Sequence, residues 1–212
     1  MTEVDVIGRL SGKWEDGTRP RDLYEGAISK SPSEYLPTLL EGIRSPERRV
    51  QSGCAELLTL LSEERPDLVY PHVEVFVEGL EEPAPVVRWE SVATLGNLAG
   101  VDSRGIVAKQ VDPIASNLAS GAVLQGHSVR ALSKIARANP GMADSILNRL
   151  LSSADSFPGN RIGFLIESME QFLTEPRRIR LVEDFVKPHA HSEIGAVARK
   201  ARRVLRLVGQ ST

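Results

Sequence analysis

VVRWESVATLGNLA, residues 86–99, decides the fold. Its Val87, Ser91, Leu95 and Leu98 fall at i, i+4, i+8 and i+11, a spacing that puts them on one side of a helix. The same side is written again in Val50, Cys54, Leu58 and Leu61, and again in Leu124, Ser128, Leu132 and Ile135. Read down the columns, Leu58, Leu95, Leu132 and Met169 stand 37 residues apart, as do Leu61, Leu98, Ile135 and Phe172. A third column holds Val50, Val87 and Leu124 and is broken only by Arg161. Self-similarity at such a period marks a stack of helical units, each of which buries its apolar side against its neighbours.

Working outward, the spacing predicts second helices over 47–64, 85–99, 122–137, 160–173 and 195–208. The last carries Val197, Ala201, Leu205 and Val208, displaced by one residue. A first helix precedes each, over 32–43, 67–81, 106–119, 141–152 and 175–188. Two of these end in one phrase, Glu41-Gly42-Ile43 and Glu78-Gly79-Leu80, also 37 apart. Ser31-Pro32-Ser33-Glu34 reads as a capping box with proline at the first helical position, and Ser45-Pro46-Glu47 opens the next helix likewise. Pro37, Pro71 and Pro113 are expected to bend the first helices or shift their starts. Residues 1–30 fit the period poorly and read as two short helical stretches, 3–11 and 20–29, joined by a turn at Asp16-Gly17-Thr18-Arg19-Pro20. An atypical first unit is what a stack needs where its end meets water.

Composition narrows the function. Of 212 residues, 41% are hydrophobic and only 5% aromatic, which suits helix pairs packed through Leu, Val, Ile and Ala. Net charge is −2, so the chain is not a polycation. The balance is uneven, because residues 174–212 hold nine Lys or Arg against four Asp or Glu. The single cysteine, Cys54, rules out an intrachain disulfide and a thiolate zinc site. No secretory signal and no long apolar run are read, so the expected location is cytoplasmic. No phosphate-binding glycine loop or nucleophile elbow occurs, and neither a cofactor, a metal, a catalytic residue nor a small-molecule substrate is expected.

The second-helix string 86–99, with its Val87-Arg88 pair, small residues a turn later, and Leu95 and Leu98, resembles the second helix of a HEAT repeat. Residues 69–99 look like a whole HEAT unit, and the resemblance spans 31–208. It departs from the pattern in the turns, where Ser45, Glu82 and Gly121 stand instead of Asp, and in the second helices, where Gln51 and Gln125 replace the basic residue that Arg88 supplies. The resemblance implies an all-α, right-handed α-solenoid of about five helix pairs behind an N-terminal helical cap over 1–30. The units would run 31–65, 66–102, 103–139, 140–174 and 175–208. It also implies a non-enzymatic, armadillo-like binding scaffold.

Partner-binding candidates follow from the lateral columns of the second helices. Trp89 sits opposite the core positions, with Ser52, Gly126 and Gly163 as its small column mates. It reads either as a contact anchor or as a ring folded over the next unit. Beside it run Glu90, His127 and Phe164, flanked by Arg88 and Arg161. These six form a face for a protein or peptide, or else an ordinary solvated surface. Arg199, Lys200, Arg202, Arg203 and Arg206 share a side of the last helix, and Arg177, Arg178 and Arg180 open the helix before it. They read as a phosphate-binding patch or as a charged cap. The alternative function is nucleic-acid binding through this basic unit, as in the HEAT-like alkylated-base DNA glycosylases, with Asp102 or Asp155 as acidic groups. A bilin-lyase type of enzyme is disfavoured by the 37-residue period. His189 and His191 with Glu193 lack the helical spacing and third ligand of a metal site. Cys54 reads as a small core residue.

Overall fold

The computed structural model describes residues 4–15 and 17–211; Glu3 of the predicted first stretch and Asp16 of the following turn lie outside the described residues. All regular structure among the described residues is helical. The chain forms two compact units, Met1–Ile106 and Val107–Thr212.

In the first unit, α1 (Val6–Ser11) and α2 (Pro20–Gly26) precede a hairpin of α3 (Pro32–Gly42) and α4 (Arg48–Glu64). In the second hairpin the leading helix is broken into α5 (Pro66–Val69), a 3₁₀ turn at Tyr70–His72, α6 (Val73–Glu78) and a 3₁₀ turn at Gly79–Glu81. Pro71, which has no N–H to donate, stands in the first of these turns. α7 (Pro85–Leu98) is the second helix and packs along α4. Cys54, Leu58, Leu61, Leu95 and Leu98 are fully buried. Each such leucine contributes about 1.5–3 kcal/mol of transfer free energy.

The phrase repeated at 41–43 and 78–80 has a packing cause. Gly42 on α3 lies directly against the Cys54 thiol of α4, and Gly79 lies against the Ser91 hydroxyl of α7. The small column on each second helix therefore faces a glycine that ends the first, and the helices cross in close contact. The N-terminal cap uses the same device, because Leu10 fits over Gly53. The expected capping box does not form: Ser31 precedes α3, but its side chain makes no capping bond, and Pro32 alone marks the first turn. Ser45 also falls outside α4, where its hydroxyl accepts from the Glu47 N–H while the helix begins at Arg48.

In the second unit the first leading helix is again broken. α8 (Val111–Ala115) is flanked by 3₁₀ turns at Ala108–Gln110 and Ser116–Ala119, with Pro113 in its first turn. There follow α9 (Ala122–Ala138), α10 (Ala143–Ser152), α11 (Ile162–Ser168) continued as a 3₁₀ turn to Phe172, α12 (Pro176–Val186) and α13 (Gly195–Ser211). The core columns hold, with Leu132, Ile135, Met169 and Phe172 buried. The third column does not, because Leu124 is only partly covered. In the last helix Val204 is buried instead of Leu205. Spacing of four, three and four from Val197 through Ala201 and Val204 to Val208 follows one helical side more closely than the predicted set.

Candidate functional site

Among the residues of the first unit, Arg88 is committed to structure. Its Nε and Nη2 donate to the Glu82 carbonyl oxygen at 3.1 and 2.8 Å. This pins the turn between the two helices and accounts for a basic residue at that position. Trp89 is half-buried, and its indole N–H donates to Glu90 Oε1 at 3.2 Å. Burial pushes the Glu90 carboxyl above its ordinary value; Glu56 and Glu63 add to this, while the nearby Thr59 hydroxyl and the bond from Trp89 oppose it. Thr59 also donates to the Glu90 carbonyl at 3.1 Å and pairs with the Thr94 hydroxyl at 2.9 Å, and Asn97 donates to Ser62 Oγ at 2.8 Å. A seam of hydroxyl and amide groups thus joins α4 to α7 beside the tryptophan.

In the second unit Gln125 occupies the place that Arg88 holds one period earlier. It is fully buried, and its Nε2 donates to the carbonyls of Leu118 and Ser156 at 2.6 and 2.8 Å. Arg161 in turn donates to Gln125 Oε1 at 3.2 Å. One amide therefore ties its own hairpin to the turn of the next, with Arg161 closing the chain of bonds. The residue that broke the third apolar column is part of this staple.

Phe164 is half-buried and lies between two cations, the Arg130 guanidinium from α9 and the Lys200 ammonium from α13, each 5.8 Å from the ring centre. The small column assigned to Trp89 explains how they meet. The ring rests on Gly126, where even a Cβ would stand 3.6 Å from it, and the Lys200 stem rests on Gly163. His127 lies partly buried beside this group; burial, and then Arg130, hold its imidazole down to about 4. Lys200 Nζ also reaches Glu167 at 2.8 Å, and Arg203 Nη2 reaches Glu170 at 3.0 Å.

The basic end divides into three. Lys200 and Arg203 are paired across to α11. Arg178, predicted as part of an exposed patch, is buried; it donates to Asp144 Oδ1 at 2.7 Å and Thr174 Oγ1 at 3.1 Å, and meets Glu175 at 3.1 Å. Arg199, Arg202 and Arg206 are exposed, make no ion pair among the described residues, and line a shallow depression with Leu205.

The remaining candidates are structural. Asp102 accepts from the Tyr70 hydroxyl and the Ile106 N–H, both at 2.9 Å, and so closes its own loop. Asp155 is exposed in a 3₁₀ turn. Burial pushes the Cys54 thiol up to about 12, which leaves it protonated and inert. His189 packs edge-on against Phe185, ring centres 5.4 Å apart. Among the described residues no three His, Cys, Asp or Glu side chains gather at metal-binding distance, and no helix is long and apolar enough to cross a membrane.

No protein-family model matches the chain, and no curated protein matches it. Solved structures do. An engineered protein from the Northeast Structural Genomics Consortium is similar at a TM-score of 0.64 and 19% identity, over 99% of this chain and 98% of that one. A designed armadillo repeat protein is similar at 0.62 and 14%, over 96% and 98%. A computationally designed armadillo repeat protein for modular peptide recognition is similar at 0.60 and 15%, over 95% and 89%. With the repeated hairpins of both units, these likenesses over nearly the whole chain give it the fold of the armadillo-like, all-α helical-repeat solenoids.

Proposed function

We propose that this chain is a non-enzymatic scaffold that recognises a protein or peptide on the faces of its second helices. The observation that carries the reading is Phe164, a partly exposed ring outside the fully buried columns, seated on Gly126 between Arg130 and Lys200. An aromatic side chain ringed by cations is a preformed contact of low entropic cost. Trp89 beside Glu90 is its counterpart in the first unit. Likeness of fold to a protein designed for peptide recognition supports the same reading. In this reading Arg88 and Arg161 serve as supports of the face, the first bonded to the Glu82 carbonyl and the second to the Gln125 side chain.

Panning a random peptide library against the full chain tests this. Enriched peptides should bind by fluorescence anisotropy with micromolar affinity and lose it in Phe164→Ala or Trp89→Ala. Peptides that bind both variants as they bind wild type would remove these faces from the function. The nucleic-acid alternative rests on Arg199, Arg202 and Arg206. It is weakened by Glu167 and Glu170, which sit between the basic helices and hold two of their cations.

A further inference from the structure

The second helices of the Val107–Thr212 unit carry far more cations than carboxylates. Across residues 122–138, 159–172 and 195–211 there are nine Lys or Arg and two Asp or Glu. Both carboxylates, Glu167 and Glu170, are already paired, with Lys200 and Arg203. Arg130, Arg199, Arg202 and Arg206 are exposed and make no ion pair among the described residues. The corresponding helices of the first unit, 48–64 and 85–101, hold three cations and four carboxylates, so the excess belongs to one unit and not to the repeat.

Resting on the scaffold reading above, we infer that this face takes an acidic peptide segment with an apolar side chain, its carboxylates meeting Arg130 and the Arg199–Arg202 edge and its apolar group covering Phe164. Uncompensated surface cations in one region raise the local concentration of an anionic partner and speed encounter. The partly exposed ring supplies an apolar contact beside Arg130 and Lys200, where area rather than charge fixes the register. The arrangement favours a peptide over a nucleic-acid backbone. A polyphosphate carries charge at each step and would pass Glu167 on α11 and Glu170 in the 3₁₀ turn that continues it. A peptide can set its carboxylates to either side of α11 and an uncharged residue over it. Aromatic rings for successive bases are also lacking, since Phe164 is the only Phe, Tyr or Trp in helices α9, α11 and α13.

The test titrates the full chain against a fluorescein-labelled peptide of about ten Asp and Glu residues with one central Leu. Two further peptides replace the Leu by Gly, or the acids by Lys. The Leu peptide should bind with micromolar Kd and weaken as salt rises. It should lose about fivefold or more in Arg130→Gln, in Arg199→Gln/Arg202→Gln and in Phe164→Ala, with helical circular dichroism unchanged. The Gly peptide should bind several-fold more weakly, and the Lys peptide should show no saturable binding. Equal affinity for the Leu and Gly peptides, or wild-type affinity in Arg130→Gln, would overturn the inference. So would duplex DNA that binds more tightly than the Leu peptide at the same salt and ignores Phe164→Ala. Library peptides that are basic or neutral and still depend on Phe164 would refute this inference while leaving the scaffold reading intact; failure of the scaffold reading would instead appear as no second-helix dependence for any peptide.

Discussion

Gly42 touches the Cys54 thiol so closely that a methyl group added at 42 would overlap the sulfur. One period on, Gly79 meets Ser91 in the same way, and there a new methyl would also stand 2.9 Å from the Ser91 Cβ. These are the points where a first helix crosses its second. Gly42→Ala and Gly79→Ala should each cost about 1–3 kcal/mol of stability by denaturant unfolding, since overpacked contacts are relieved by off-rotamer side chains and backbone shifts. Gly100→Ala, where nothing lies within 4 Å, should cost nothing measurable. Cys54→Ala should partly rescue Gly42→Ala, with a coupling of about 1 kcal/mol, because the remaining Cβ is 3.4 Å away and the other close atom, Ile7 Cδ1 at 3.1 Å, is the movable end of a side chain. Ser91→Ala should not rescue Gly79→Ala. Equal rescue at both sites would refute the crossing geometry.

Gln125 is the second fastener. In Gln125→Met the carbonyls of Leu118 and Ser156 lose their donor, the first in a buried place and the second in a partly buried one. The expected loss is about 2–4 kcal/mol, from about 1–3 for each unsatisfied group. Arg161→Ala, which removes one bond from a partly exposed residue, should cost about 0.5–1.5 kcal/mol. The two losses should not add, since Arg161 acts through Gln125. Additive losses would mean that the two side chains work separately.

The Arg178–Asp144 pair gives a pH signature at the acid end. The hydrogen bond from Arg178 holds the Asp144 carboxyl below its ordinary value. A carboxyl lowered by folding contributes stability that is complete above its unfolded value of about 3.9 and is lost as pH falls through the folded value. The fall of stability in this acid range should therefore flatten in Arg178→Met. Asp144→Ala should destabilise more at neutral pH than Arg178→Met, because it leaves a buried guanidinium short of its Nε acceptor, with Glu175 and Thr174 remaining, while the methionine fills similar volume. The reverse order would contradict this account.

His127 acts at milder pH. Its folded value of about 4 lies below the unfolded value of about 6.5. Between these the unfolded chain binds more protons, so stability rises with pH across that window and its contribution is constant below it. His127→Gln should remove this part of the slope between pH 4 and 6.5, read as the difference from wild type because His189 is also held down by burial. An unchanged slope would mean that the imidazole is solvated.

What the sequence made legible was whatever repeats locally. The columns through Leu58, Leu61 and their successors need only helical periodicity, and they are buried as read. The positions of the helices followed from them. The destinations of polar side chains did not, because each is decided by a neighbour one hairpin away. Arg161 looked like a break in an apolar column, yet its partner is Gln125, 36 residues earlier. Arg178 looked like one member of a basic run, yet Asp144, 34 residues back, draws it inside. The recurring Gly at 42 and 79 was visible as a register mark, but its cause, contact with Cys54 and Ser91, needed the crossing of the helices. Phe164 was visible as a lateral residue; the cations around it come from α9 and α13 and could not be read from its own helix.

Amide chemical-shift mapping of the full chain with a library-selected peptide tests the central claim most directly. The perturbed amides should cluster on the second helices, around His127, Arg130 and Phe164 and along α13 from Arg199 to Arg206, and Phe164→Ala should abolish the shifts. Perturbations confined to the first helices, α10 and α12, would contradict it.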